Sequence, residues 1–156
     1  MRLVVQRVSR ASVSVGGEVV GRIGPGMLVL LAIEKGDGDD GIRELAGKLA
    51  RYRFFPDDQG RMNRSVLDAG GAALVVSQVT LARQPRKGNR PSFDRAALPD
   101  EAKRLYRVFV EALREAGVGE VGEGVFGASM QVELVNDGPV TFVMGDSPPS
   151  DVDAGG

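Results

Sequence analysis

The chain reads as a mixed α+β protein of the α/β class, with a mixed sheet packed on helices in layers. Three observations predict this. Apolar stretches with the two-residue period of strands outnumber the two stretches with helical spacing. Short Gly-, Pro- and Asn-containing turns join many neighbouring stretches, as in antiparallel pairs. With 42% hydrophobic residues, a chain of 156 residues has enough apolar surface for one core. A single domain over residues 1–146 is expected, followed by a disordered tail at 147–156 rich in Pro, Ser, Asp and Gly.

Residues 2 to 15 alternate, with Val13 and Val15 on one parity and Ser12 and Ser14 on the other, so they form a strand. Gly16-Gly17 supplies a hairpin turn, and Val19 to Ile23 returns antiparallel. After Pro25-Gly26, the run Met27 to Ile33 lacks alternation, which predicts a central strand buried on both faces. Beyond the Gly/Asp-rich loop 36–41, the spacing of Ile42, Leu45, Ala46, Leu49 and Tyr52 gives an amphipathic helix whose stripe covers a sheet. Ala72 to Leu81, rich in Val and Leu, reads as another strand. Leu98-Pro99-Asp100 opens a second helix with Pro in its first turn; Leu105, Phe109, Val110 and Leu113 form its buried stripe, and Gly117 stops it. Two closing strands are expected, Met130 to Val135 and Val140 to Met144, joined by a turn at Asn136-Asp137-Gly138-Pro139.

Two absences narrow the chemistry. The chain has no Cys and no His, so it cannot by itself build a Ser-His-Asp triad, a Cys-His pair, a disulfide or a His- or thiolate-supported zinc site. Any proton transfer falls to a carboxylate, a lysine, a hydroxyl, a backbone group, water or the substrate. The longest apolar run is far short of the roughly 20 residues of a membrane span. The opening Met1-Arg2-Leu3-Val4-Val5 lacks the pattern of a secretory leader, so a cytoplasmic protein with no membrane partner is expected. The net charge of −1 argues against strong nonspecific polyanion binding. It hides a gradient, because residues 137–156 hold four Asp and no base, which leaves 20 basic against 17 acidic residues before them. Arg83, Arg86, Lys87, Arg90 and Arg95 cluster against the single Asp94, which fits a phosphate contact or a solvated loop equally well.

Three segments carry candidate chemistry. Ser77-Gln78-Val79-Thr80-Leu81 ends an apolar strand with polar side chains, and strand alternation puts Gln78 and Thr80 on one face, offering an amide and a hydroxyl without formal charge. An edge strand facing water explains the same residues. Phe126-Gly127-Ala128-Ser129-Met130 sets small residues between large ones, which leaves either a shallow pocket or ordinary core. Gly138-Pro139 is either a common turn or a cis bond whose redirected carbonyls accept an ammonium group.

Taken jointly, Val5-Gln6-Arg7-Val8 with Ala11-Ser12-Val13, SQ-x-TL at Ser77 to Leu81, KGNRPSF at Lys87 to Phe93, FGA-x-M at Phe126 to Met130 and NDGPVT at Asn136 to Thr141 resemble the D-aminoacyl-tRNA deacylase family over nearly the whole chain, to about Met144. The resemblance implies a β/β/α sandwich, a homodimer with sites at its interface, and hydrolysis of the ester of D-aminoacyl-tRNA, with glycine mischarged onto other tRNAs as a further substrate. It implies that Ser77, Gln78 and Thr80 line the pocket for the terminal adenosine and the scissile ester. Gly138 and Pro139 would enter from the partner subunit to capture the amino group and exclude an L side chain. Phe126, Gly127, Ala128 and Met130 would form the adjoining wall, and Lys87 and Arg90 would meet acceptor-stem phosphates. The expected partner is the 3′ end of aminoacylated tRNA and not DNA, and no cofactor or metal is expected. One departure is Val79, where the family pattern has Phe.

Two chemical schemes fit. Either backbone donors and Gln78 hold the ester while the substrate's 2′-hydroxyl orients water, or Thr80 attacks directly. A catalytically silent tRNA-binding protein and a general esterase are the competing classes, and the absence of a nucleophile–base pair counts against the esterase.

Overall fold

The computed structural model describes residues 1–84 and 88–145. Arg86, Lys87 and the expected tail from 147 lie outside the described residues. Strand β1 (Arg2–Val15) and strand β2 (Glu18–Ile23) form the antiparallel hairpin expected from the sequence. Gly16 and Gly17 sit at φ +58° and +84°, the positive values that a two-residue turn of this hand needs and that only glycine adopts freely. Strand β3 (Gly26–Ala32) then runs antiparallel to the first half of β1.

Helix α1 (Asp39–Arg51) follows, then a small hairpin of β4 (Phe55–Pro56) and β5 (Met62–Arg64), and the one-turn helix α2 (Val66–Ala69). Strand β6 (Ala72–Ser77) lies parallel to β3, which the intervening α1 crossover permits. A 3-10 turn (Val79–Ala82), helix α3 (Pro99–Glu115), strand β7 (Val121–Glu123) and the long strand β8 (Gln131–Met144) complete the described chain. The sheet order is β2-β1-β3-β6-β7, with β8 on the other edge of β1, since Leu3 pairs with both Leu31 and Met144. Antiparallel and parallel pairings coexist, so the sheet is mixed, as the sequence predicts.

Strand alternation sorts the interior into two layers. Met27, Val29 and Leu31 of β3, with Ala73 and Val75 of β6, join the buried stripes of α1 and α3. The intervening Leu28, Ala72, Leu74 and Val76 pack instead with Val8, Ala11, Val13 and Ile23 on the opposite face. That is why Met27 to Ile33 shows no polar alternation: one parity meets helices and the other meets strands. Leu105, Phe109 and Leu113 of α3 are fully buried, each contributing about 1.5–3 kcal/mol by removal from water.

Two sequence expectations need correction. The strand expected to reach Leu81 stops at Ser77, and the chain tightens into the 3-10 turn with Gln78 at its start. More consequentially, Asn136-Asp137-Gly138-Pro139 does not reverse the chain. The two expected closing strands are one strand, β8, antiparallel to β1 throughout. Gln6 pairs with Thr141 and Val8 with Asn136, so two steps along β1 face five along β8. The surplus residues leave the ladder as an excursion and the strand resumes in its former direction, an extended form of β-bulge.

Candidate functional site

A pocket of 330 Å³ opens where β3 and β6 end. Parallel strands deliver their carboxyl ends to the same side of a sheet, the usual location for a site in such topologies. Leu31, Ala32 and Ile33 supply one wall, and Ser77 and Val79 another. The segment before α3 adds Ala96 and Ala97, with Pro99 following at the start of the helix. It is held there by backbone bonds in which Lys35 donates to the Arg95 carbonyl (2.8 Å) and Ala97 donates to that of Ile33 (3.0 Å).

The segment after β7 closes the pocket with Phe126, Gly127, Ala128 and Met130. The Gly124 amide donates to the Val75 carbonyl at 3.1 Å, and the buried Tyr106 hydroxyl donates to that same carbonyl at 2.8 Å. Tyr106 also stands 5.9 Å, centroid to centroid, from the Phe126 ring. Burial, with the nearby Glu123 carboxylate adding to it, raises the Tyr106 hydroxyl above its ordinary pKa and keeps it a neutral donor. Ser77 is the lone side-chain hydroxyl among otherwise apolar walls, apart from Tyr106.

Ser77, Phe126, Gly127, Ala128 and Met130, singled out in the sequence, thus converge on one cavity. Gln78 and Thr80 are not among its lining residues but flank Val79, which is. Their side chains do meet, Gln78 Nε2 donating to Thr80 Oγ1. Their closeness comes from the 3-10 turn rather than from the strand alternation argued from the sequence. Val79 is 56% exposed at the mouth. Arg90 is exposed in the bend after the undescribed residues, and Lys87 lies outside the described residues.

Gly138 and Pro139 do not line this pocket. They are exposed at the tip of the β8 excursion, joined by a cis peptide bond. Gly138 has φ +140°, and a Cβ there would stand 2.7 Å from Val140 Cγ2 and 3.2 Å from Arg7 Nη2. The excursion is tied to the body by Arg7, whose side chain is only 12% exposed. Arg7 Nε donates to the Asp137 carbonyl at 3.0 Å, and Arg7 Nη1 donates to the Phe54 carbonyl at 2.8 Å. The motif Val5-Gln6-Arg7-Val8 contains Arg7 but does not by itself reveal this role. The available signal was a cation sharing the parity of Leu3 and Val5 on a strand face that is otherwise buried.

Among the described residues no cluster of three or more carboxylates is placed to hold a metal ion, and no helix is long and apolar enough to cross a membrane. The site offers an apolar cavity, a hydroxyl–amide–hydroxyl rim and backbone amides at the open end of the 3-10 turn. In such a turn the first N–H groups, here those of Val79 and Thr80, have no acceptor within the turn.

Comparison with known proteins gives this arrangement a family. The chain is 57% identical over 138 residues to a D-aminoacyl-tRNA deacylase of Alteromonas mediterranea, covering 88% of this chain and 94% of that protein. A protein of the same name from Dinoroseobacter shibae is 58% identical over 144 residues, covering 92% and 99%. A solved structure named "c-Myc DNA Unwinding Element Binding Protein" is 42% identical, with a TM-score of 0.88 over 96% of this chain and 100% of that one. Another, described as "a probable eukaryotic D-amino acid tRNA deacylase", shares the fold at 20% identity, with a TM-score of 0.78 over 92% of this chain and 97% of that one. The family model described as D-Tyr-tRNA(Tyr) deacylase matches residues 4–145, and the chain belongs to that family.

Proposed function

We propose that the chain hydrolyses the ester of D-aminoacyl-tRNA, with the pocket at the end of β6 receiving the 3′-terminal adenosine and the amino acid carbonyl. The observation that carries this reading is the convergence of the Ser77–Val79 segment and the Phe126–Met130 segment on one apolar cavity. Apolar walls suit a purine and a ribose edge, and Ser77, Gln78 and the amides of Val79 and Thr80 offer donors for an ester oxygen. Water adds to the carbonyl carbon, the bond to the ribose oxygen breaks, and a proton passes to that oxygen, giving free D-amino acid and tRNA. The ester is already activated, so positioning water beside it with the help of the substrate's 2′-hydroxyl suffices without His or Cys. Thr80 as a direct nucleophile is the rival step.

Handedness is sorted by Gly138 and Pro139 donated from a second copy of the chain. Their exposure at the tip of an excursion, away from the pocket of their own chain, supports donation in trans. Carbonyls there accept the ammonium group and leave no room for an L side chain, while glycine passes and its mischarged tRNA is also cleared. The homodimer works in the cytoplasm on the acceptor end of tRNA, and Arg90, with Lys87 beyond the described residues, meets phosphates there.

The test is release of amino acid from D-Tyr-tRNA and L-Tyr-tRNA by the purified protein. Turnover of the D substrate alone is expected, and it should vanish when the terminal 2′-hydroxyl is removed. Equal release from both substrates, or from neither, overturns the proposal. A trapped acyl-Thr80 adduct would replace the water scheme with the nucleophilic one.

A further inference from the structure

The excursion that carries Gly138 and Pro139 is gripped on two faces, and the second grip has a chemistry of its own. Gln6 and Arg7 are neighbours on β1, so their side chains leave it on opposite faces. Arg7 holds the excursion from the side of the helices, through the carbonyls of Asp137 and Phe54. On the other side Gln6 Nε2 donates to Thr141 Oγ1 at 3.2 Å. Thr141 Oγ1 accepts a second bond from Asn136 Nδ2 at 2.9 Å, and Asn136 Oδ1 in turn accepts from the Val140 amide at 3.0 Å.

Asn136 and Thr141 are the residues at which pairing with β1 breaks off and resumes. Their side chains therefore bridge the neck of the excursion, where the backbone ladder is interrupted. An amide at the first position and a hydroxyl at the second are both required: the amide must donate and accept at once, and the hydroxyl must accept two donors. Ordinary closure of such a neck needs neither group, because backbone pairing on each side already returns the strand to register.

We infer that Asn136, Thr141 and Gln6 form a positioning clasp that fixes how far and in what direction Gly138 and Pro139 project, and thereby sets the discrimination between D- and L-aminoacyl-tRNA. This rests on the reading that the excursion sorts handedness. The three residues act through the excursion and do not touch substrate. A tip placed a fraction of an ångström too far back leaves the ammonium group underheld and admits an L side chain. The clasp thus bears on capture of substrate rather than on the bond-breaking step.

The experiment compares wild type, Thr141→Val, Thr141→Ser, Gln6→Ala and Gly138→Ala for kcat and KM on D-Tyr-tRNA and L-Tyr-tRNA, with Tm and oligomeric state measured for each. Thr141→Val keeps the shape and removes the acceptor; it is expected to raise KM for the D substrate and to lower the D-over-L ratio of kcat/KM about tenfold or more. Thr141→Ser restores the ratio to within about twofold, because it restores the oxygen. Gln6→Ala, which removes one of the two donors from a half-buried position, gives an intermediate ratio and keeps the test available if Thr141→Val fails to fold. An unchanged ratio in folded Thr141→Val or in Gln6→Ala, alongside a collapsed ratio in Gly138→Ala, overturns the clasp and leaves the sorting role of the excursion standing. An unchanged ratio in Gly138→Ala overturns both. A fall in Tm without any change in the ratio makes the bonds merely structural and also overturns the inference.

Discussion

The pocket at the end of β6 and the excursion on β8 are built by different forces. Buried apolar elements form the pocket: Leu31 and Tyr106 are 2% and 3% exposed, and its rim is held by backbone bonds between β3, β6 and the segments around α3. The excursion has an exposed tip and is oriented by side-chain hydrogen bonds donated by Arg7, Gln6 and Asn136, two of which Thr141 accepts. Hydrophobic burial is strong and non-directional, whereas hydrogen bonds are weak in net energy and highly directional. On the proposed function, a cavity for a common nucleotide end needs only to exist and stay dry. An element proposed to read handedness must be aimed, and aiming is what directional bonds do.

The sharpest way to break that contrast is to damage each region and ask whether stability or selectivity suffers. Leu31→Ala removes a buried side chain that both lines the pocket and packs in the core. It is expected to lower stability by about 2–5 kcal/mol in denaturant unfolding, the usual cost of such a cavity. The D-over-L ratio of whatever protein remains folded should stay near wild type. A collapse of selectivity with full stability would mean that the wall itself reads the amino acid.

Arg7→Lys is the reciprocal experiment. It retains the charge but loses the planar fork that reaches the carbonyls of Asp137 and Phe54 together. A fall in the D-over-L ratio of about tenfold is expected, from a displaced tip, with a change in Tm smaller than that of Leu31→Ala. Kinetics on paired D and L substrates decide it, and an unchanged ratio would show that the excursion holds its aim without the guanidinium.

The same division explains what was legible in the sequence. Burial leaves a periodic trace, so β1, β3, α1 and α3 are readable from Val13 and Val15, from the unbroken run at Met27, and from the stripes at Ile42 and Leu105. Strand β7 leaves almost none, because Val121–Glu123 is short and becomes a strand only by parallel pairing with the distant Ala73–Val75. The end of β6 is not legible, because Val79 and Leu81 continue the apolar parity while the backbone has already tightened. Asn136-Asp137-Gly138-Pro139 has the composition of a reversing turn, and composition cannot say whether a chain reverses or bulges. Length does not decide it either, because the other edge of β1 is covered by two shorter strands, β2 and β3. The wall residues Phe126 to Met130 were readable as small residues between large ones, whereas Arg7 was legible only as a cation on a buried parity.

A smaller effect tests whether the pocket rim depends on any directional bond. Tyr106→Phe removes the hydroxyl that donates to the Val75 carbonyl and leaves that carbonyl still bonded to the Gly124 amide. Because the acceptor keeps one partner, the loss should be about 1 kcal/mol in unfolding free energy, with selectivity intact. A change in the D-over-L ratio larger than the change in stability would place the Tyr106–Phe126 contact among the parts that aim the substrate.

The smallest effect concerns acid. Asp39 and Glu101 are held below the ordinary carboxylate range chiefly by hydrogen bonds from Arg104, which links the first turn of α1 to α3. Asp57 and Asp68 are lowered in the same way, chiefly by backbone amides, of Arg61 and of Ser65 respectively. A carboxylate whose folded pKa is depressed stabilises the fold fully above its unfolded value, about 4, and loses that contribution as the pH falls through the folded value. Tm should therefore be flat from neutral pH down to about 5 and decline below about 4. All four carboxylates are solvent-exposed, so screening keeps each contribution small and added salt should shrink the part due to Arg104. None of them touches the excursion, so the D-over-L ratio should hold down to the pH at which the protein begins to unfold. A ratio that falls at a higher pH than Tm does would mean that a titrating group takes part in aiming the tip.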